Sequence, residues 1–184
     1  MTEIPTTQMS PLPKKAGGPR HVVVMGISGG GKTTLAMMLA GKLGYVFAEG
    51  DEFHSQANRD KMAAGTPLDD DDRAPWLQSI QDWMTTEARV GHSTVVTCSA
   101  LRKTYRNVLR GAEGTTIFVH VAPPVEVTAE RLNARKGHYM PASLLSSQVA
   151  TLEELKDDET GFKVVSSGTP PEILAEVLMQ LKDL

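Results

Sequence analysis

One cysteine, Cys98, stands in 184 residues, so no disulfide forms within the chain and a reducing compartment suits it. No apolar run approaches the roughly 20 residues needed to cross a bilayer. The amino terminus lacks the basic-then-apolar order of a secretory signal, which gives the expectation of a soluble, cytoplasmic protein. Neither sign of charge dominates: 19 Lys and Arg stand against 22 Asp and Glu, a net charge of -3. Nothing draws the chain generally toward nucleic acid or an anionic membrane. Internal repeats and low-complexity tracts are missing too, as is the Asn-Lys-x-Asp stretch with which a guanine-specific switch holds its base. The length fits one domain with a substantial core and leaves no room for a second.

What is present is organised around Gly26-Ile27-Ser28-Gly29-Gly30-Gly31-Lys32-Thr33, followed by Thr34. It matches G-x-x-x-x-G-K-[ST] and sits where that pattern has physical meaning, after the short apolar run His21 to Met25 and before a helical repeat. Glycine lets consecutive N–H groups turn inward onto a phosphate chain, and the helix dipole adds to that field. Gly26, Ser28, Gly29, Gly30, Gly31, Lys32, Thr33 and Thr34 are therefore the expected nucleotide contacts. Lys32 reaches the terminal phosphates and the Thr33 hydroxyl ligates Mg²⁺. The expected ligand is a nucleoside triphosphate with Mg²⁺.

Along the chain, residues 1–20 hold Pro5, Pro11, Pro13 and Pro19 with little to bury, and are expected to form a flexible tail ahead of the P-loop domain over 21–184. Leu35, Met38, Leu39 and Leu43 mark a helix stopped by Gly44. Tyr45 to Ala48 reads as a second strand running out into Glu49-Gly50-Asp51, and ligands in an open parallel sheet collect beyond such strand ends. Ser55 to Ala64 reads as a short helix. Asp69 to Asp72 with Pro75 reads as the start of a helix whose Trp76, Ile80 and Trp83 face the core; a metal site is the alternative for these acids. Ser93 to Cys98, Thr115 to Val121 and Gly161 to Val165 complete five strands. Pro123-Pro124 opens a helix to about Ala134, and a last helix runs from Pro171. Alternating strands and helices imply an α/β fold, a three-layer P-loop sandwich with a five-stranded parallel sheet and helices on both faces.

The third strand ends in Thr97-Cys98-Ser99, with no acid to support Mg²⁺, so Asp51 becomes the nearest candidate. Arg102 has the best claim on an anionic substrate among the cations of its helix. Arg131 and Arg135 share a helical face beside the basic, glycine-containing loop Lys136 to Pro141, an arrangement suited to a mobile lid at about residues 135–142. Surface bridges to Glu126 and Glu130 are the alternative.

The chain resembles the gluconate kinases of the small P-loop type, related in fold to shikimate and nucleoside monophosphate kinases. The likeness rests on Gly26 to Thr34, Glu49-Gly50-Asp51 with His54, Asn58 with Lys61-Met62, and Gly65 to Leu68 running into Asp70 to Arg73 and Pro75 to Leu77. It continues through Cys98 to Leu101 with Tyr105-Arg106, Arg131-Leu132, Ala134 to His138, Met140-Pro141, Gln148 and Thr151 to Glu154. Glu49 stands where many relatives carry aspartate. The resemblance implies transfer of the ATP γ-phosphoryl to the 6-hydroxyl of D-gluconate by a homodimer. Asp51 would accept the hydroxyl proton, with Lys32, Arg131 and Arg135 the other catalytic groups. Asp51, His54, Lys61, Arg73, Arg102, Tyr105 and His138 would line the gluconate pocket, and adenine is expected near Arg106 and the loop 166–170. Kinases for shikimate or adenylylsulfate, and a non-enzymatic nucleotide switch, are the competing readings.

Overall fold

The computed structural model describes residues 17–134, 142–165 and 167–184. Five strands, β1 (Arg20–Met25), β2 (Val46–Glu49), β3 (Thr94–Thr97), β4 (Thr115–Val121) and β5 (Gly161–Val164), form one parallel sheet in the order β2-β3-β1-β4-β5. The expected fold class is present. β1 lies at the centre, with Val23 opposite Val96 on one side and Phe118 on the other. Its side chains alternate between two covered faces, so the strand reads as one apolar run instead of an apolar-polar alternation.

Val22 and Val24 pack with α1 (Lys32–Leu43) and α7 (Pro170–Lys182), through Leu35, Leu39, Ile173 and Val177. Val23 and Met25 pack with α3 (Asp70–Arg89) and α4 (Lys103–Arg110), through Trp76, Ile80, Met84 and Leu109. α1 ends at Gly44, whose left-handed φ of 68° lets its N–H reach the Ala40 carbonyl. The acid run starts α3 as expected: Asp69 caps it, accepting from Asp72 N–H while the Asp72 carboxylate accepts from Asp69 N–H. Pro75, expected in the first turn, lies one turn further in.

Several boundaries move by a residue, two of them with consequences. Arg20, expected in the tail, is the first residue of β1, and its guanidinium donates to the Leu181 and Leu184 carbonyls at 3.3 and 3.2 Å. β2 begins one residue late and takes in Glu49, so this carboxylate sits on the last strand position, beside Thr97 of β3. The remaining helices are α2 (Gln56–Ala63), α5 (Val125–Ala134) and α6 (Ala142–Thr151). Among the described residues no helix is long and apolar enough to cross a membrane.

Buried beneath this end of the sheet is an ion pair between Arg106 of α4 and Glu159, both side chains fully inaccessible. Arg106 also donates to the carbonyls of Ala100 at 2.9 Å and Glu153 at 3.1 Å. One guanidinium thus ties the loop after β3 to the segment after α6.

Candidate active site

The phosphate loop follows β1 and passes into α1. Gly29 and Gly31 take left-handed φ values of 79° and 84°, and a Cβ on Gly26 would lie 2.6 Å from the Val121 carbonyl oxygen. Side chains are excluded there by backbone, which is how N–H groups stay clear for an anion. Lys32 Nζ donates to the Gly26 and Ile27 carbonyls at 3.0 and 2.9 Å, folding over the loop it belongs to. Ser28 N–H donates to Gln148 Oε1 of α6 at 2.7 Å.

Beside this loop, Thr33 Oγ1 donates to Glu49 Oε2 at 2.8 Å, and Thr97 Oγ1 donates to Glu49 Oε1. The carboxylate next to the candidate Mg²⁺ hydroxyl is therefore that of Glu49, not Asp51, which corrects the expectation. A hydroxyl and a carboxylate side by side, next to an anion cradle, are hard oxygen donors of the kind Mg²⁺ takes.

Asp51 belongs to the 3-10 turn Gly50–Phe53 that follows β2. Two bonds pin its start: Gly50 N–H donates to Thr97 Oγ1 at 3.0 Å, and Trp76 Nε1 donates to the Gly50 carbonyl at 2.8 Å. Only glycine fits at position 50, because a Cβ would fall 1.8 Å from the Thr97 carbonyl oxygen. The Asp51 side chain, 74% exposed, faces His54, whose Nε2 is 4.0 Å from Oδ1. His54 is buried against Trp76, ring on ring at 4.1 Å. Asn58 Nδ2 donates to the Asp72 carbonyl at 2.9 Å and lies 3.3 Å from His54 Nδ1. An amide nitrogen only donates, so Nδ1 accepts and the ring hydrogen is on Nε2, toward Asp51. Burial lowers the His54 pKa, with Asp51 opposing and Arg59 and Arg73 reinforcing the shift. The ring is a neutral donor near neutral pH.

Asp51, His54, Lys32, Ser28 and Gln148 line one narrow cavity of about 90 Å³, together with Arg73, Trp76 and Cys98. Burial pushes the Cys98 thiol up to about 12, so it stays protonated and is no nucleophile. A wider cleft of about 480 Å³ adjoins it, sharing Leu68, Arg73 and Ser147 and adding Arg102 and the acids Asp69 to Asp71. In its wall Arg73 donates to Tyr105 Oη at 2.9 Å, Tyr105 donates to Asp70, and Arg102 lies 3.5 Å from Asp70. Burial, then the Asp70 hydrogen bond, raises the Tyr105 pKa, keeping it a phenol.

A family profile described as an AAA domain matches residues 22–155. A gluconokinase from Gluconobacter oxydans (strain 621H) is 49% identical over 160 residues, covering 87% of this chain and 90% of that protein. The chain belongs to the gluconokinase family. The crystal structure of a sugar kinase from Janibacter sp. HTCC2649 is 49% identical, with a TM-score of 0.85 over 89% of this chain and 95% of that one. A gluconokinase structure from Sinorhizobium meliloti 1021 is 38% identical, with a TM-score of 0.78 over 92% and 94%.

Within this gluconokinase-family fold the expected residues separate into groups. Ser28 and Lys32 of the loop come together with Asp51, His54 and Arg73 around one cavity, and Arg102 lines the adjoining cleft. Thr34 is exposed on the first turn of α1. Tyr105 meets the site through Arg73 and Asp70, with its ring beneath the Arg73 guanidinium at 5.3 Å. Lys61 points elsewhere: its ammonium sits 2.9 Å from both Asp72 oxygens, which raises its pKa and lowers that of Asp72. It does not line the cavity. Arg106 is no adenine contact, being buried on Glu159. Arg135, His138 and nearly all of the expected lid lie outside the described residues, as does the side chain of Arg131.

Three residues join the site that sequence reasoning had placed otherwise. Glu49, expected to face the crevice beyond the second strand but given no role there, is the carboxylate on Thr33. Trp76, assigned to the core by its spacing, also holds Gly50 and stacks on His54. Gln148 was a point of family likeness without a role. The indole N–H was the available signal for Trp76, since a buried indole needs an acceptor.

Proposed function

We propose that this chain transfers the γ-phosphoryl group of ATP to the 6-hydroxyl of D-gluconate, giving 6-phospho-D-gluconate and ADP. The observation that carries the reading is the single cavity on which the phosphate loop and the Asp51 carboxylate both open, in a chain of the gluconokinase family. The backbone from Gly29 to Thr33 with Lys32 would hold the β and γ phosphates, and Thr33 with Glu49 would hold Mg²⁺. That ion would neutralise charge on the bridging and transferred oxygens.

Asp51 then accepts the proton of the attacking hydroxyl as the new oxygen–phosphorus bond forms and the bond to the ADP oxygen breaks. Neutral His54 steadies that carboxylate through its Nε2 side. Trp76 and Thr97 hold the turn beneath it, so the reacting oxygen meets a fixed partner, and positioning carries much of the barrier reduction. Gluconate is a carboxylate bearing several hydroxyls. Arg73 and Arg102 supply the cations for its charged end, and Asp70 and Tyr105 with His54 supply the hydrogen-bonding partners. Arg131, Arg135 and His138 would close over the transferring group. We further propose a cytoplasmic homodimer that needs neither membrane nor nucleic acid.

The test is ADP release with MgATP against D-gluconate, shikimate, adenylylsulfate and nucleoside monophosphates, beside a control without acceptor. Selective turnover on gluconate is the expected result. Turnover on another acceptor keeps the kinase and overturns the pocket assignment. Nucleotide binding without turnover on any acceptor overturns the enzyme reading in favour of a switch.

A further inference from the structure

Gln148 is held at the junction of the two halves of the site by contacts that the mechanism above does not use. Its carboxamide oxygen accepts from Ser28 N–H, in the third position of the phosphate loop. A backbone N–H can only donate, so the oxygen faces the loop and the Nε2 hydrogens face away from it. Gln148 lines the same cavity as Lys32 and Asp51, and among the described residues Nε2 has no hydrogen-bond partner.

The residue is also firmly seated. Leu152 N–H closes the last turn of α6 on the Gln148 carbonyl at 3.0 Å. One residue on, Glu153 N–H donates to the Leu101 carbonyl at 2.7 Å, and its carboxylate accepts from Lys103 N–H at 2.8 Å. Arg106 holds the Glu153 carbonyl from below. The end of α6 is therefore locked to the β3–α4 loop, and a side chain one turn earlier has a fixed origin.

We propose that Gln148 donates, through Nε2, to the phosphoryl group in transit between the phosphate loop and Asp51, while its oxygen fixes the direction of that donor. Phosphoryl transfer spreads charge over three equatorial oxygens, and a donor aimed at them before the reaction acts more strongly than one that must reorganise. The inference rests on the chain being a kinase; it does not rest on gluconate being the acceptor.

Gln148→Glu separates the donor from the cap. The carboxylate still accepts from Ser28 N–H at nearly the same length but has no hydrogen to give. Gln148→Ala removes both. The readouts are kcat and KM for both substrates, the slow hydrolysis of ATP without acceptor, and affinity for a non-hydrolysable ATP analogue, with thermal unfolding as the folding check. We expect kcat and acceptor-independent hydrolysis to fall by about a hundredfold in both variants. Analogue affinity should stay within about threefold of wild type in Gln148→Ala. Full kcat in Gln148→Glu with a loss confined to Gln148→Ala assigns only the Ser28 cap and overturns the proposal. A loss confined to the KM for ATP overturns it as well. If gluconate proves not to be the acceptor, the hydrolysis arm alone decides.

Discussion

Replacing Arg106 by methionine tests whether the buried pair beneath the sheet holds both walls of the site. Its guanidinium meets the two Glu159 oxygens at 2.6 and 3.0 Å and the Ala100 and Glu153 carbonyls at 2.9 and 3.1 Å. After Arg106→Met, among the described residues Glu159 keeps only Lys156 N–H, at 2.9 Å, as a hydrogen-bond donor to its carboxylate. Removing one partner of a fully buried pair costs about 3–5 kcal/mol, because the other charge is left without compensation. That is a large share of a total stability of about 5–15 kcal/mol. For a chain of this size each kcal/mol moves Tm by roughly 2–4 °C, so a fall of about 6–20 °C is expected. Urea and thermal unfolding followed by circular dichroism measure it. Arg106→Met with Glu159→Leu leaves no buried charge and should recover at least about 1 kcal/mol of the summed single losses. Acid adds a second readout. Burial pushes the Glu159 carboxyl up, but the Arg106 hydrogen bond and the Lys156 N–H outweigh it and leave the pKa below its ordinary value. Stability from this group is therefore present above the unfolded carboxyl pKa and lost as pH falls through the folded one, and Arg106→Met should flatten that limb. A loss under about 1 kcal/mol, or strict additivity in the double variant, refutes the reasoning.

Asp51→Asn should lower kcat by about 10²–10⁴-fold with analogue affinity intact, measured by steady-state kinetics and titration; near wild-type turnover removes Asp51 as the proton acceptor. Glu49→Gln keeps the shape beside Thr33 and loses the charge, so the Mg²⁺ concentration for half-maximal rate should rise by about 10–100-fold; an unchanged Mg²⁺ dependence refutes the metal assignment. Burial above all lowers the His120 pKa from 6.5 to about 4, with Glu154 opposing and Lys163, Arg106 and Lys32 reinforcing the shift. The unfolded state then binds the extra proton first, so about 3 kcal/mol of stability should drain away as pH falls from 6.5 to 4. His120→Leu should flatten that interval in unfolding titrations, and an unaltered slope counts against the buried neutral ring.

What the sequence made legible was local. The phosphate loop is contiguous, its glycines announce a backbone conformation, and the flanking strand and helix have their own periods. The acids that start α3 satisfy N–H groups within three residues of themselves. Glu49 and Asp51 show where that reading stops. A period of two would send both carboxylates to the same side, but β2 ends at Glu49 and the chain turns into a 3-10 helix at Gly50. The break in period leaves Glu49 on Thr33 and carries Asp51 across the cavity to His54. Nothing in the Glu-Gly-Asp triplet declares that break; it follows from Trp76 and Thr97, 26 and 47 positions away, bonding to Gly50. Arg106 makes the same point more sharply. It is one of several cations between Arg102 and Arg110, and its full burial comes with Glu159, 53 residues on, and Glu153, 47 residues on. Gln148 reaches Ser28 over 120 residues. The parts that bind phosphate were written in one stretch because backbone makes them. The parts that orient the acceptor and hold the two walls in register are side chains meeting across the sheet, and chain topology alone brings them together.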